Sequence, residues 1–377
     1  MTLTRPRLAI CGFIFAVAFG ATQAEAADAK QFGDALLAAV GASGKNSATY
    51  DKATADGDTI TVTGLKVTRD TDISVLPPLV FTGVAPRAKG GFTAQKLAIG
   101  PSSSTARGQT FEWKSIAAEN VTIPSADEVK AHAHVTPFTK LDIAGMTASG
   151  GRLAAPVTID AVGVAITSDA AGEPSSFDVN VSAIKIPPDF FAKNFLAKAY
   201  LGMLGYNAGF TVNVGVAGAY VNQGDTLTLD KLAIDISEVG KLTIAGKFSG
   251  VSLRKAAAMD VHDVQSTGKL DSFSLRFDNA GLVERLLDMQ TKTQNIKKED
   301  AIAQATAGLG FFLISIPDSA FTTKVVDAVT AFLNAPKSIT ISMAPAEPVP
   351  FSKVYETVGQ APETIPSVLG VGVTANQ

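Results

Sequence analysis

Hydrophobic and polar residues alternate along much of this chain. Phe210, Val212, Val214 and Val216 alternate with small or polar residues at positions 211, 213, 215 and 217. The same alternation recurs in three further runs: Leu242, Ile244 and Phe248; Phe273, Leu275 and Phe277; Ile339, Ile341 and Met343. A period of two is typical of a strand with one buried face, and Gly, Asn, Asp and Pro separate the runs. We therefore predict a β-dominated α+β protein with long antiparallel sheets.

The apolar phase slips by one residue in four of these runs. The slips follow Val62, Ile159, Val181 and Leu229, where the next apolar residue comes three positions later. Such a slip turns every later side chain to the other face unless a bulge or a bend corrects it. The pattern predicts curved, bulged strands, and the alternative is coincidence in a chain that is 46% hydrophobic.

Helical patterns are fewer and gather in two places. Helices are predicted at residues 29–40, 189–204, 282–294, 299–314 and 319–333. Pro187 and Pro188 precede an acidic first turn in the second of these, and Pro336 ends the last, since proline cannot continue a helix. The proline-rich tail, residues 344–373, is predicted to run extended.

The order of elements suggests two similar halves behind a leader. We predict an N-terminal β-rich half at residues 27–186 and a C-terminal β-rich half with helices at residues 187–377. Each half has strands followed by a helical stretch introduced by proline or glycine. A single elongated body is the alternative to a duplication.

Residues 1–26 have the pattern of an export signal. Arg5 and Arg7 precede an apolar run at residues 8–19, and Ala24 and Ala26 form a small-x-small cleavage site. As a helix the run is about 20 Å long, too short for a hydrocarbon core of roughly 30 Å, although an uncleaved anchor is the alternative. We expect cleavage near Ala26, a location in the periplasm and no transmembrane helix in the mature chain.

Composition narrows the chemistry that the mature chain can perform. Cleavage removes Cys11, the only cysteine, which leaves no thiolate nucleophile, disulfide or cysteine metal site. An exported chain without disulfides favours a bacterial periplasm.

Without the signal, 30 basic and 34 acidic residues give a net charge of −4. No basic run is longer than Lys297–Lys298, which argues against a nucleic-acid partner. The mean hydropathy of +0.22 fits either a large core or apolar surface that covers a ligand.

Motifs for catalysis or cofactors are weak. His132 and His134 would share one face of a strand, and His262 is the third histidine, so a three-histidine zinc site is one reading and solvated histidines the other. Ser182 with Lys185 and Ser252 with Lys255 match S-x-x-K without the accompanying motifs of acyl transfer. We predict no catalytic, cofactor-binding or metal-binding residues, no cofactor and no enzymatic activity.

Aromatic residues of the predicted helices have two interpretations. They either fill a core or form an apolar wall over a curled sheet that could hold acyl chains. The residues concerned are Phe190, Phe191, Phe195, Phe311, Phe312 and Phe321.

The second half of the chain resembles a family of bacterial envelope proteins. The resemblance depends on three motifs: Leu204-Gly205-Tyr206, the Thr-Leu pairs at residues 226–229, and a glycine-led strand at residues 239–244. Three prolines follow further along the chain, at Pro336, Pro345 and Pro350. This pattern is similar to uncharacterised proteins loosely related to the AsmA-like and YdgA-like groups. The resemblance implies a role in envelope integrity or lipid traffic, without catalytic residues. Members are usually membrane-anchored and longer, which differs from the cleaved signal expected here.

These observations favour a non-enzymatic periplasmic protein of the cell envelope. We expect it to bind or carry a lipid or another apolar ligand in a groove of a curved sheet. Two alternatives stay open: a structural or interaction module that binds envelope proteins without a ligand, and a hydrolase whose site the sequence does not reveal.

Overall fold

One long antiparallel sheet dominates the protein. The computed structural model describes residues 27–41, 46–69, 72–106, 108–131, 135–151, 153–169, 173–252, 266–314 and 316–377. In these residues a sheet of 18 strands lies beside a separate three-stranded sheet, and several helices pack on the strands. The predicted β-dominated α+β class is confirmed.

The strands are short near the N-terminus and long in the middle of the chain. The three-stranded sheet contains β1 (Asn46–Thr49), β4 (Lys66–Arg69) and β5 (Asp72–Val75). The long sheet contains β2 (Lys52–Asp56), β3 (Thr59–Thr63), β6 (Leu79–Thr82), β7 (Ala85–Pro86), β8 (Phe92–Ile99), β9 (Ser102–Ala106), β10 (Gln109–Trp113), β11 (Ser115–Ile123), β12 (Lys140–Gly150), β13 (Val157–Ser168), β14 (Pro174–Ile186), β15 (Phe210–Val221), β16 (Thr226–Ile236), β17 (Gly240–Ser249), β18 (Lys269–Asn279), β19 (Ser338–Met343), β20 (Val349–Pro350) and β21 (Val371–Ala375).

The helices lie near the two ends of the chain and at two places between them. They are α1 (Ala29–Gly41), α2 (Ala126–Lys130), α3 (Phe195–Met203), α4 (Leu282–Gln294), α5 (Lys298–Leu313), α6 (Ser319–Asn334), α7 (Phe351–Gln360) and α8 (Ile365–Leu369), with 3-10 helices at Pro188–Phe191 and Pro362–Thr364.

Strand order follows the chain closely. Pairing runs from β2 through β3, β6, β8, β11 and β12, and then through each successive strand from β13 to β19, before it ends at β21. Among the described residues β2 and β21 each have one strand neighbour, so the sheet is open. β12 to β18 each pair with the next strand in sequence. Short turns join β12 to β14 and β15 to β17, whereas α3 lies between β14 and β15 and the helices α4 to α6 lie between β18 and β19.

The predicted phase slips coincide with backbone irregularities. The ladder register shifts between Val181 and Ile184 in β14 and between Leu229 and Leu232 in β16. In β13 the slip falls at Asp160, and the register places Gly145 and Ala183 opposite it, both with positive φ. Bulges of this kind bend a strand and increase its twist, so the apolar side chains stay on one face.

The first slip has a different cause. β3 ends at Thr63, and the chain leaves the long sheet for the three-stranded sheet through Gly64, whose φ is +67°. Leu65 is buried beyond this turn. The slip therefore marks a change of sheet and not a bulge within one strand.

Most predicted helices are present with ends within two residues of those expected. The stretch at 189–204 differs, because Pro188–Phe191 forms a 3-10 turn and α3 begins only at Phe195. The Asn194 side chain accepts a hydrogen bond from the Ala197 amide at 3.0 Å and caps this second start.

The prediction of an extended tail was wrong. Residues 351–369 form α7, a 3-10 turn and α8, and only β20 and β21 are extended. Pro350, Pro362 and Pro366 stand at or just before helix starts. A first-turn amide has no partner within its helix, so proline starts a helix as readily as it ends one.

Candidate functional site

One face of the long sheet is apolar from end to end. The register aligns one residue from each of fourteen strands in a single line, which we name the central row. The central row contains Ala55, Ile60, Phe81, Leu97, Ala118, Leu141, Val164, Val179, Val216, Leu232, Ile244, Leu275, Ile341 and Val373. Directly paired residues point to the same side of a sheet, so these side chains form one apolar line.

Two further rows lie beside the central row on the middle strands. On β12 to β16 one row contains Ile143, Val162, Val181, Val214 and Ile234, and the next contains Met146, Ile159, Ile184, Val212 and Ile236. With the central-row residues of the same strands, Leu141 to Leu232, these three rows of five are all large and apolar. We name this surface the open face.

Helix α1 covers the N-terminal end of the apolar face. Phe32 of α1 is fully buried and packs edge-on against Phe81 and Phe92, with ring centroids 4.8 and 5.3 Å apart. Ile60 and Val62 are buried in the same cluster. This part of the sheet has a filled core and no room for a ligand.

The C-terminal helices pack on either side of the central row. α4 to α6 pack near Phe277 and Ile339, whereas α7 and α8 pack near Phe273 and Met343. Ile341 lies on the central row between these two groups and keeps 37% of its surface exposed. The row therefore continues between two helical walls.

A cavity lies where the central row reaches β21, the edge strand of the sheet. Its volume is about 440 Å³, and its lining includes Phe321 and Val325 of α6, Pro366 of α8, and Val371 and Val373 of β21. Val373 is the last residue of the central row. The line of apolar residues thus ends in a lined cavity at the β21 edge.

The open face has no comparable cover among the described residues. No residue of β12, β13 or β14 is buried, and none of the described helices makes substantial contact with β12 to β16. Four strand spacings and two row spacings give a surface of about 19 by 15 Å between backbones, or on the order of 400 Å² with side chains. The largest apolar patch on a monomeric protein is commonly of about this size and is often functional.

The opposite face of the same strands is polar and charged. Lys185 pairs with Asp160 at 2.9 Å, and Lys140 pairs with Asp142 at 3.0 Å. About half of each of these side chains is exposed, so the pairs add little stability. They do ensure that water wets one face of the sheet while the other face stays apolar.

A polar cleft of about 590 Å³ lies near α2. Arg87 and Glu128 face each other there through two hydrogen bonds of 2.8 and 3.0 Å, and the Ser125 amide donates to the same carboxylate at 2.8 Å. The Arg87 guanidinium lowers the pKa of Glu128 below its usual range. Glu128 is the one carboxylate among the described lining residues, so no pair of carboxylates converges in this cleft.

A second cluster fixes the end of α3. Arg285 of α4 lies 4.5 Å above the ring of Tyr206, donates to the Leu204 carbonyl at 3.1 Å and pairs with Glu238 at 2.8 Å. Burial raises the pKa of Tyr206, whose hydroxyl donates to the Glu238 carbonyl at 3.2 Å. Each polar group of this cluster is paired within it, so the cluster connects α4 to the end of α3 and has a structural role.

The residues considered for catalysis do not form a site in the described structure. His132, His134 and His262 lie outside the described residues. Ser182 lies in a strand, and Lys185 of the same motif is paired with Asp160. Among the described residues no cluster of His, Cys, Asp or Glu could hold a metal ion.

The predicted aromatic set separates into different environments. Phe191 contacts Phe210 at 6.1 Å edge-on, Phe195 is exposed, and Phe321 lines the cavity at β21. The side chains of Phe311 and Phe312 lie outside the described structure.

Sequence reasoning located the strands of the open face but not the face itself. The alternation at Val212, Val214 and Val216 was visible, as were the slips in the neighbouring strands. The missing information was the register, which aligns Val164, Val179 and Val216 across three strands. The slips were the available signal, since each one is needed to keep its strand in line.

No described helix has the length and apolar character required to cross a membrane. Comparison with curated proteins finds no match. A family model described only as "Uncharacterized protein" matches residues 233–376, which extend from within β16 to the end of β21 and include the helices that flank the central row.

Proposed function

We propose that this protein binds a lipid or another ligand with long apolar chains on the open face, without catalysing a reaction. The observation that carries the proposal is the uncovered set of three apolar rows on β12 to β16. Water in contact with these rows is unfavourable, and an acyl chain laid along them would remove the exposed area from water.

The length of the apolar surface suits an extended chain. From β12 to β21 the central row crosses nine strands, or about 38 Å at roughly 4.8 Å per spacing. One leaflet of a bilayer has a hydrocarbon thickness of roughly 15 Å. The surface therefore accommodates a complete acyl chain, with the helical walls beside Ile341 to orient it.

The chemistry of the open face favours an apolar ligand over a polar substrate. All fifteen residues of its three rows are Val, Ile, Leu or Met. No titratable group is present there to polarise a bond or to move a proton. Binding or carriage is consequently the function that this surface supports.

Organic extraction of the natively purified protein tests the proposal. We expect mass spectrometry of the extract to reveal lipids in near-stoichiometric amount, and a fluorescent fatty acid to bind after delipidation. Absence of extractable lipid together with absence of fatty-acid binding refutes the proposal. A dimer that buries the open face, detected by light scattering and cross-linking, would also refute it.

We also propose that the protein acts in the periplasm as part of the cell envelope. The support is the signal-like pattern of residues 1–26 and the resemblance to AsmA-like and YdgA-like envelope proteins. Cell fractionation with N-terminal sequencing tests this proposal. Recovery from the cytosol with the first residues attached would contradict it.

A further inference from the structure

Helix α3 exposes an apolar stripe to solvent. Phe195, Leu196, Tyr200 and Met203 are 80, 78, 50 and 62% exposed. At 100° per residue they fall within an arc of about 140° on one side of the helix. Leu204, which is buried directly after the helix, anchors the C-terminal end of α3. The stripe is thus held outward by the fold and is not the flank of a core helix.

The segment that leads into α3 adjoins the apolar face through a chain of aromatic contacts. Phe190 contacts Phe191 at 5.2 Å, and Phe191 contacts Phe210 at 6.1 Å, both edge-on. Phe210 is the first residue of β15 and pairs with Ile186, next to the open-face residues of both strands. Because the 3-10 turn also contacts α3, these rings hold the helix next to the end of the open face.

The size and charge of the stripe point to a lipid surface as its occupant. A nine-residue helix is about 13 Å long, and its stripe is well below the roughly 800 Å² per partner of a stable protein interface. Lys193 and Lys198 are exposed beside the stripe, and Asp189 is the one acidic residue between positions 188 and 203. Phe and Leu insert among acyl chains, while Tyr and Lys are favoured at the level of the headgroups.

We propose that α3 docks this protein on the surface of a phospholipid bilayer and brings the end of the open face to the membrane. The role of the docked state rests on the proposed lipid binding, but the docking itself depends only on the stripe. Insertion of the stripe below the headgroups would bring the start of β15, at Phe210, close to the bilayer surface.

Co-sedimentation of the full-length protein with vesicles tests the docking. The vesicles contain phosphatidylethanolamine with a minor share of phosphatidylglycerol. Leu196→Glu places a charge in the stripe and is expected to reduce partitioning about tenfold. Ile314→Glu is the matched control, because Ile314 is 79% exposed at the end of α5, a different helix from the one that carries the stripe. Its partitioning should equal that of the wild type.

Two results would overturn the docking. One is a wild type that does not sediment with vesicles, and the other is an equal loss in both variants. Light scattering adds a third: if Leu196→Glu converts a dimer into a monomer and leaves vesicle binding unchanged, the stripe is a protein interface. Circular dichroism should be unchanged in both variants, since both side chains are exposed.

A fatty-acid titration without vesicles separates docking from ligand binding. Leu196→Glu should bind a dispersed fluorescent fatty acid as the wild type does, because it leaves the open face intact. If the wild type binds vesicles but no fatty acid, the proposed function fails and the docking stands. If Leu196→Glu abolishes fatty-acid binding as well, the stripe belongs to the ligand site and the separate docking role fails.

Discussion

A charge at the centre of the open face should abolish ligand binding while the fold survives. Val164 lies on the central row of β13, between Leu141 and Val179 on the neighbouring strands. Val164→Asp introduces a carboxylate at this position. Ala165→Asp is the matched control, because Ala165 is the next residue of the same strand, is exposed, and points to the opposite face.

The expected loss follows from the position of the side chain. A valine covered by a ligand contributes about 1.5 kcal/mol, and a carboxylate beneath an acyl chain adds a desolvation cost that protonation partly relieves. We expect a total loss of about 3 kcal/mol, which is more than about a hundredfold in the dissociation constant. Val164 is not buried in the free protein, so the free energy of unfolding should fall by only about 1 kcal/mol.

Titration with a fluorescent fatty acid and urea unfolding measure the two quantities separately. Val164→Asp should lose binding with a nearly unchanged unfolding midpoint, and Ala165→Asp should retain both. Equal affinity in the two variants would refute the assignment of the open face. A Val164→Asp protein that fails to fold would show that the face is a closed core.

Three further predictions concern stability. Phe32→Ala should lower the free energy of unfolding by about 3–5 kcal/mol in urea titration, because the side chain is fully buried; a loss below 1 kcal/mol would contradict the α1 core. Glu128→Gln should cost about 2 kcal/mol at neutral pH through its pairing with Arg87. The lowered pKa of Glu128 makes this contribution complete above its ordinary value of 4.5 and lost as the pH falls through the folded-state value, so a deficit independent of pH would contradict it. Thr357→Val should raise stability by about 1 kcal/mol in thermal unfolding, because the buried hydroxyl has no hydrogen-bond partner among the described residues; a loss would show that it has one.

The strands and most helices could be predicted from local pattern. The alternation of Phe210 to Val216 and the helix at residues 282–294 are present as expected. The prediction of an extended tail failed because proline can start a helix as well as end one. Only the packing of α7 and α8 near Phe248 and Phe273 decides that these two helices form. The delayed start of α3 likewise depended on a local cap at Asn194.

The sequence by itself determined that the strands of this chain have one apolar side and one polar side. Period-two alternation and the slips at Ile159, Val181 and Leu229 require a bulged sheet with one apolar side, because side-chain direction in a strand is a local property of the backbone. Only the tertiary structure decided which parts of that side are covered. The register that aligns Val164 with Val179, and the positions of α1 and the C-terminal helices, come from contacts between distant segments. Such contacts leave no local pattern, so an exposed apolar row and a buried one look the same in the sequence.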